Sequence, residues 1–228
     1  MTEPYAGIAM LEVIAEAVNY NTWLAETVVT GLAHRSPVVD FGAGSGTFSR
    51  MVRDRGAQVV CVEPDPTLAA RLRGDGFDVH GSLAALPDAA VPAVYSLNVL
   101  EHIEDDAAAL RELNRILSPG GRLLLYVPAF PILYSSFDAR YGHQRRYRKS
   151  ALRSRVAAAG FRVVACRYAD SLGFFAALAF RALDSGAGTV SMSAVRVYDR
   201  ALFPVSRQLD RLCGGVFGKN VLLVAEKA

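Results

Sequence analysis

The chain predicts an α/β fold: a doubly wound, mostly parallel sheet of seven strands whose last strand is antiparallel, with an N-terminal helix and helical insertions. Three observations carry this expectation. Between Pro37 and Pro128 short apolar runs alternate with helix-patterned segments. The runs are continuously apolar, as in strands buried on both faces of a parallel sheet. The length, 228 residues with 52% hydrophobic and 21% charged side chains, suits a single core of this kind.

The elements follow in order. In the first 35 residues Leu11, Ile14, Ala15, Val18 and then Leu24, Val28, Leu32 recur at helical spacing. VVDF (38–41) is a first strand, with a helix from Thr47 to Arg55 behind it. QVVCVE (58–63) is a second strand, followed by a helix that opens on Pro66, where a missing N–H costs nothing. FDVH (77–80) is a weak third strand and AVYSLNV (93–99) a fourth. A helix from Asp105 to Leu117 stops at Ser-Pro-Gly-Gly, and RLLLYVP (122–128) is a fifth strand. A loop rich in Tyr, Phe and Arg then spans 129–149, and a helix runs from Ser150 to Ala159. FRVVACRY (161–168) is a sixth strand, Ser171 to Leu183 an apolar helix and Ala194 to Leu212 an amphipathic one. NVLLVAEK (220–227) is the seventh strand, expected to return antiparallel after the helical insertion.

Composition excludes several classes. A formal net charge of +3 gives no bulk argument for nucleic acid, and the basic residues concentrate in one short loop. Cys61, Cys166 and Cys213 lie far apart and are odd in number, which reads as buried reduced thiols in a cytoplasmic protein. The start MTEPYAGIAM lacks a secretory pattern, and the apolar 171–183 stretch is short of the roughly 20 residues needed to span a bilayer. Peripheral membrane contact and a monomeric or homodimeric state both stay open.

The strongest motif is Asp40-Phe41-Gly42-Ala43-Gly44-Ser45-Gly46. Glycines at 42, 44 and 46 allow a sharp turn after the strand and a close approach of backbone to a ligand. Glu63 ends the second strand, where its carboxylate can accept hydrogen bonds from ribose hydroxyls. Together they indicate a nucleoside-containing cofactor. A nicotinamide fingerprint wants a third glycine where Thr47 stands. Asp40 beside the loop would repel a pyrophosphate and suit a cationic amino-acid group, so NAD is disfavoured.

At these residues a resemblance becomes specific. VVDFGAGSG, CVEPDPTL, HGSLAALP, YSLNVLEHIED and RILSPGGRLLLYVP resemble, in order, the motifs of class I S-adenosylmethionine-dependent methyltransferases on a Rossmann-like sheet. The resemblance covers 37–128, with a weaker match through GFRVVACRY. It implies that Asp40, Gly42 and Gly44 hold the methionine portion of S-adenosyl-L-methionine, with Ala43 and Gly46 also in the cofactor site. It further implies Glu63 on the ribose, Pro64, Asp65, Ser82 and Leu83 around the adenine, and Leu97 and Asn98 near the methionine amine and methyl. Ser82 and Ala93 depart from the pattern, each standing where the family usually has Asp. The chain then divides into a helical cap (1–36), a cofactor-binding core (37–128) and an acceptor-binding region (129–228) of a single domain.

Methyl transfer from a sulfonium asks for in-line positioning and, for an O–H or N–H acceptor, a proton acceptor. His102 follows the fourth strand and His143 the fifth, both at the carboxyl edge where open α/β sheets bind ligands. They are the candidate catalytic residues, whereas His34 and His80 lie outside the motifs. The segment around His143 is similar to the Gly-His-x-Arg-Arg-Tyr stretch of a small-molecule and envelope-associated methyltransferase subgroup. That likeness implies an acceptor pocket bordered by Tyr134, Asp138, Tyr141, Arg145, Arg146 and Tyr147. Asn98, Glu101, His102 and His143 also raise a metal reading, but Asn98 is a poor ligand for a hard cation and no metal is expected. Residues 129–149 and 171–212, rich in Phe, Leu and Tyr, are expected to form a lid. The expected acceptor is a small amphipathic or anionic metabolite, lipid-like, isoprenoid or polyketide. Alternatives are a lipid-linked sugar as acceptor, or a binding protein without catalysis.

Overall fold

A computed structural model describes residues 8–183, 186, 188–213 and 216–228, with the side chains of residues 8, 9 and 213 outside the description. The thiol of Cys213 therefore lies outside the described residues. Cys61 is buried and Cys166 half-buried, and both are free.

The elements are α1 (Ile8–Ala15), α2 (Val18–Gly31), β1 (Val38–Phe41), α3 (Thr47–Arg53), β2 (Val59–Val62), α4 (Pro66–Gly74), β3 (Asp78–His80), β4 (Val91–Leu97) and α5 (Asp106–Ile116). They continue with β5 (Leu117–Pro128), α6 (Ser136–Arg140), α7 (Lys149–Ala158), β6 (Phe161–Ala169), α8 (Ser171–Leu183), α9 (Met192–Val197), α10 (Phe203–Cys213) and β7 (Asn220–Lys227). The seven strands form one sheet in the order β3-β2-β1-β4-β5-β7-β6. The first five are parallel, and β7 inserts antiparallel between β5 and β6. The expected fold is the observed one.

Four local differences have physical causes. The N-terminal segment is two helices, broken at Ala17, where Asn21 turns its side-chain amide back to the carbonyl of Ile14. β5 begins at Leu117, because the Ser-Pro-Gly-Gly turn pairs with β4 through Val91 instead of ending in open loop. β4 starts two residues earlier than expected, at Val91, so Ala93 lies well inside it, fully buried between Val38 and Arg122. The 129–149 segment carries a short 3-10 turn at Pro131–Leu133 and helix α6, which a Ser135–Asp138 capping box starts.

The sheet is covered on both faces. One face packs Val39, Val94, Leu123, Leu125 and Leu223 against Leu110, Leu113 of α5 and Leu152, Val156 of α7. The other packs Val38, Cys61, Tyr95, Leu124 and Tyr126 against Leu24, Val28 of α2, Leu72 of α4 and Phe203 of α10. Among the described residues no helix is long and apolar enough to cross a membrane.

Candidate active site

The strand order reverses between β1 and β4, and the loops leaving the carboxyl ends of these two neighbours form the crevice in which such sheets bind ligands. Gly42, Gly44 and Gly46 adopt φ of +81°, +55° and +79° there. A Cβ on Gly42 would lie 2.3 Å from Cγ2 of Val99, so only glycine lets the β1 loop close on the β4 loop. Glu63, 6% exposed at the end of β2, accepts hydrogen bonds from the N–H of Gly44 (2.7 Å) and the N–H of Asp65 (2.9 Å). Burial raises its pKa, and the two backbone bonds oppose that shift. Each carboxylate oxygen keeps a further lone pair for a ligand hydroxyl. The cradle and the acid therefore fit a nucleoside cofactor.

Asp40 sits beneath this loop. Its Oδ2 accepts from Ser49 Oγ (2.6 Å) and Tyr95 OH (2.8 Å), and burial pushes its pKa up to about 6. At 3% exposure it influences the loop through its charge and by bracing β1 to α3 and β4. Asp65 caps α4 by accepting from Thr67 and Leu68, while Ala43 and Leu83 are buried and Pro64 and Ser82 exposed. Asn98 has φ +54°, donates its N–H to the Tyr126 carbonyl (2.7 Å) and accepts at Oδ1 from Asn220 (3.3 Å). Leu97 packs half-buried against the core beside it.

The residues expected on the acceptor side lie on the short turn Leu100–His102 and on the loop after β5. The two are fastened together: Gln144 N–H donates to the Glu101 carbonyl (2.7 Å), and Tyr147 OH bonds the Leu100 carbonyl (3.2 Å) and Asp106 Oδ2 (2.8 Å). This brings His102 and His143 face to edge, with ring centroids 4.7 Å apart. Asp138, fully buried, holds His143 through Nδ1 (2.7 Å). Burial alone would raise the Asp138 pKa, but the bonds from His143 and Arg146 outweigh it and hold the carboxyl down at about 2. Burial and the neighbouring His143 pull His102 to about 4, so it is neutral at pH 7. Glu101 is 0% exposed and burial pushes it up to about 8, opposed in part by Arg146.

The remaining expected acceptor residues have other engagements. Arg146 donates to both oxygens of Asp138, and Arg145 pairs with Asp106 (3.0 Å) and the Glu104 carbonyl (2.9 Å). Tyr147 is 2% exposed and braces the loop. Tyr134, 36% exposed, donates its OH to the His143 carbonyl, and Tyr141 packs on Phe137. An aromatic wall adjoins them, with Phe130 stacked on Tyr168 (4.5 Å) and edge-on to Phe174 (5.3 Å). Residue spacing gave no sign of Tyr20, whose ring lies edge-on to Tyr126, or of Leu11, which lies beside Gly44. Both come from the N-terminal helices, far from the glycine loop in sequence.

Comparison with known proteins agrees with this geometry. The methyltransferase domain family matches residues 13–166. A probable S-adenosylmethionine-dependent methyltransferase of Mycolicibacterium smegmatis is 31% identical over 195 residues, covering 81% of this chain and 74% of its own. The ubiquinone biosynthesis O-methyltransferase of Xanthomonas oryzae pv. oryzae is 36% identical over 98 residues, 39% of this chain and 41% of its own. Among solved structures, geranyl diphosphate C-methyltransferase of Streptomyces coelicolor A3(2) superposes with a TM-score of 0.65 at 20% identity, over 95% of this chain and 82% of its own. The chain belongs to the methyltransferase domain family, and it is an S-adenosylmethionine-dependent methyltransferase.

Proposed function

We propose that the enzyme methylates a hydroxyl of a small acceptor with an apolar body, lipid-like, isoprenoid or polyketide in character. The observation that carries this is the His102–His143 pair, set by Asp138 beside the crevice where the cofactor loop meets the β4 loop. In this reading Glu63 takes the ribose hydroxyls, the 42–46 loop the methionine portion, and Asn98 its amine end. His143 accepts the acceptor's proton at Nε2, since Nδ1 faces Asp138, and neutral His102 orients the hydroxyl.

The polar engagements sharpen the acceptor class. Arg146 is held by Asp138, whereas Asp106 is shared by Arg145 and Arg155, so one positive charge stays unmatched there and suits an amphipathic acceptor with a polar or singly anionic end. Half-buried Phe174, set edge-on to Phe130 on the core stack with Tyr168, receives the apolar body. Exposed Phe175, Leu178 and Leu183 beside Arg181 support peripheral contact with the membrane that would supply it. Two relatives are named as O-methyltransferases, one of ubiquinone biosynthesis and one of malonyl-[acyl-carrier protein], which supports an oxygen acceptor.

Two measurements test the reading. Glu63→Ala should weaken S-adenosylhomocysteine binding by roughly 1.5–3 kcal/mol in calorimetry, as for bonds to a charged group, with no NAD binding by either protein. Unchanged affinity would sink the ribose assignment. His143→Ala should lower turnover on a panel of hydroxyl acceptors by about 10²–10⁴-fold with cofactor affinity retained. Full activity in a protein lacking both imidazoles would remove the histidines from the chemistry.

A further inference from the structure

Glu101 is the anomaly of the site. It is completely buried, and neither carboxyl oxygen has a hydrogen-bond partner among the described residues. Leaving such a group unmatched is costly whether it is ionised or protonated. Its neighbours are two half-buried imidazoles: one ligand atom each from Glu101, His102 and His143 lies within 4.8 Å of the others. Ordinary core packing would match the carboxyl to a donor or replace it with an apolar side chain.

We infer that Glu101, His102 and His143 form a binding site for a divalent first-row transition ion of the Zn²⁺ or Co²⁺ type. Two neutral nitrogens and one carboxylate oxygen are a borderline donor set, suited to these ions and poor for Mg²⁺ or Ca²⁺, which prefer oxygen. Ions of this type bind such atoms at about 2.0–2.2 Å, which places neighbouring ligands roughly 3–3.5 Å apart. Side-chain torsions on the short Leu100–His102 turn and on the 141–144 loop span the remaining difference. One of the histidines is already oriented for the task. His143 Nδ1 is held by Asp138, which leaves Nε2 for the ion, and Asp138 is itself fixed by Arg146. A carboxylate behind a ligating imidazole sets its tautomer and strengthens its lone pair.

Three protein ligands leave at least one coordination position open toward the crevice. The inference rests on the acceptor reading above only for what fills that position, namely the acceptor hydroxyl. An ion there would lower the pKa of that hydroxyl, which would give its proton to solvent water, since imidazoles whose lone pairs are on the metal could no longer accept it.

The test reads ion binding alone, on the full chain stripped with a chelator and then titrated with Co²⁺, Zn²⁺ or Mg²⁺. Saturable binding of about one Co²⁺ per chain is expected, with visible ligand-field bands of an imidazole–carboxylate site and Mg²⁺ at least about 100-fold weaker. Glu101→Gln and His143→Gln should each weaken Co²⁺ by about 30-fold or more, while S-adenosylhomocysteine binding and circular dichroism stay at wild-type values. If Glu101→Gln fails to fold, His143→Gln and His102→Gln decide. Absence of saturable Co²⁺ binding, equal affinity for Mg²⁺, or binding untouched by these substitutions overturns the site. A His143→Ala turnover loss in a wild type that binds no ion would keep the imidazole-base reading and overturn this one. Tight Co²⁺ binding without turnover on any hydroxyl acceptor would do the reverse.

Discussion

Asp40 shows how one residue serves both fold and site. It is the acid at the end of β1 that distinguishes this glycine loop from a pyrophosphate-binding one, yet its carboxylate is turned into the core against Ser49 and Tyr95. Burial lifts its folded pKa to about 6, from 3.8 as the ordinary value. The folded state thus holds the proton more tightly than the unfolded chain. Its contribution to stability is fully present below pH 4 and is lost as pH rises toward 6. A shift of about two units corresponds to about 3 kcal/mol. Asp40→Asn keeps an oxygen for Ser49 and Tyr95 but cannot ionise. Urea unfolding should therefore show the variant gaining up to about 3 kcal/mol over wild type between pH 4 and pH 7. A constant difference across that range would show that Asp40 ionises as freely folded as unfolded.

At the scale of elements, the decisive contact is between the loops after β1 and β4. Gly42 and Gly56 both hold positive φ, +81° and +92°, so alanine strains either one. Only Gly42 also faces a neighbour, since its Cβ would overlap Val99, whereas Gly56 has nothing within 4 Å. Gly56→Ala should cost about 1–2 kcal/mol from backbone strain and leave cofactor binding intact. Gly42→Ala should cost more and displace the β4 loop, carrying Asn98 and His102 with it. Thermal unfolding and S-adenosylhomocysteine calorimetry on the pair check this, and equal effects would refute the loop-to-loop contact. The loop after β5 is fastened in the same manner: Gln144, Tyr147 and Arg145 all bond to the segment 100–106, so the histidines of two separate connections are held as one unit.

Across the whole molecule, the C-terminal helices are tied down on their inner side and open on their outer one. Asp210 accepts from the N–H groups of Asp170 and Ser171, and Asp199 accepts from the N–H groups of Asn19 and Tyr20. Outward, Phe175, Leu183, Val197, Val205 and Leu212 are exposed. Such a layer can tighten over a bound ligand without disturbing the sheet. Hydrogen exchange should therefore slow in 129–149 and in 171–212 when cofactor and acceptor are added together, with β1, β4 and β5 unchanged. Identical exchange with and without ligands would rule out a lid.

Much of this was legible in the residues themselves. Continuous apolar runs separated by helix-patterned segments determine a parallel sheet covered on both faces, because such strands have no polar side to turn to water. The glycines at 42, 44 and 46 and the acid at 63 point to a nucleoside site, because few other residues permit that backbone or would accept ribose hydroxyls. The sequence also placed His102 and His143 at strand ends, where ligands bind. It could not show that they meet, because that depends on how a loop after β5 docks on a turn after β4. It could not show Glu101 fully buried with unmatched oxygens, or Arg146 engaged by Asp138 and Arg145 sharing Asp106 with Arg155. Nor could it find the cap of α2. Ala17 offers no side-chain acceptor, and the free N–H groups are met by Asp199, 180 residues away from Asn19. Periodicity and turn chemistry act between near neighbours along the chain, whereas charge balance, burial and the meeting of two loops belong to the packed molecule.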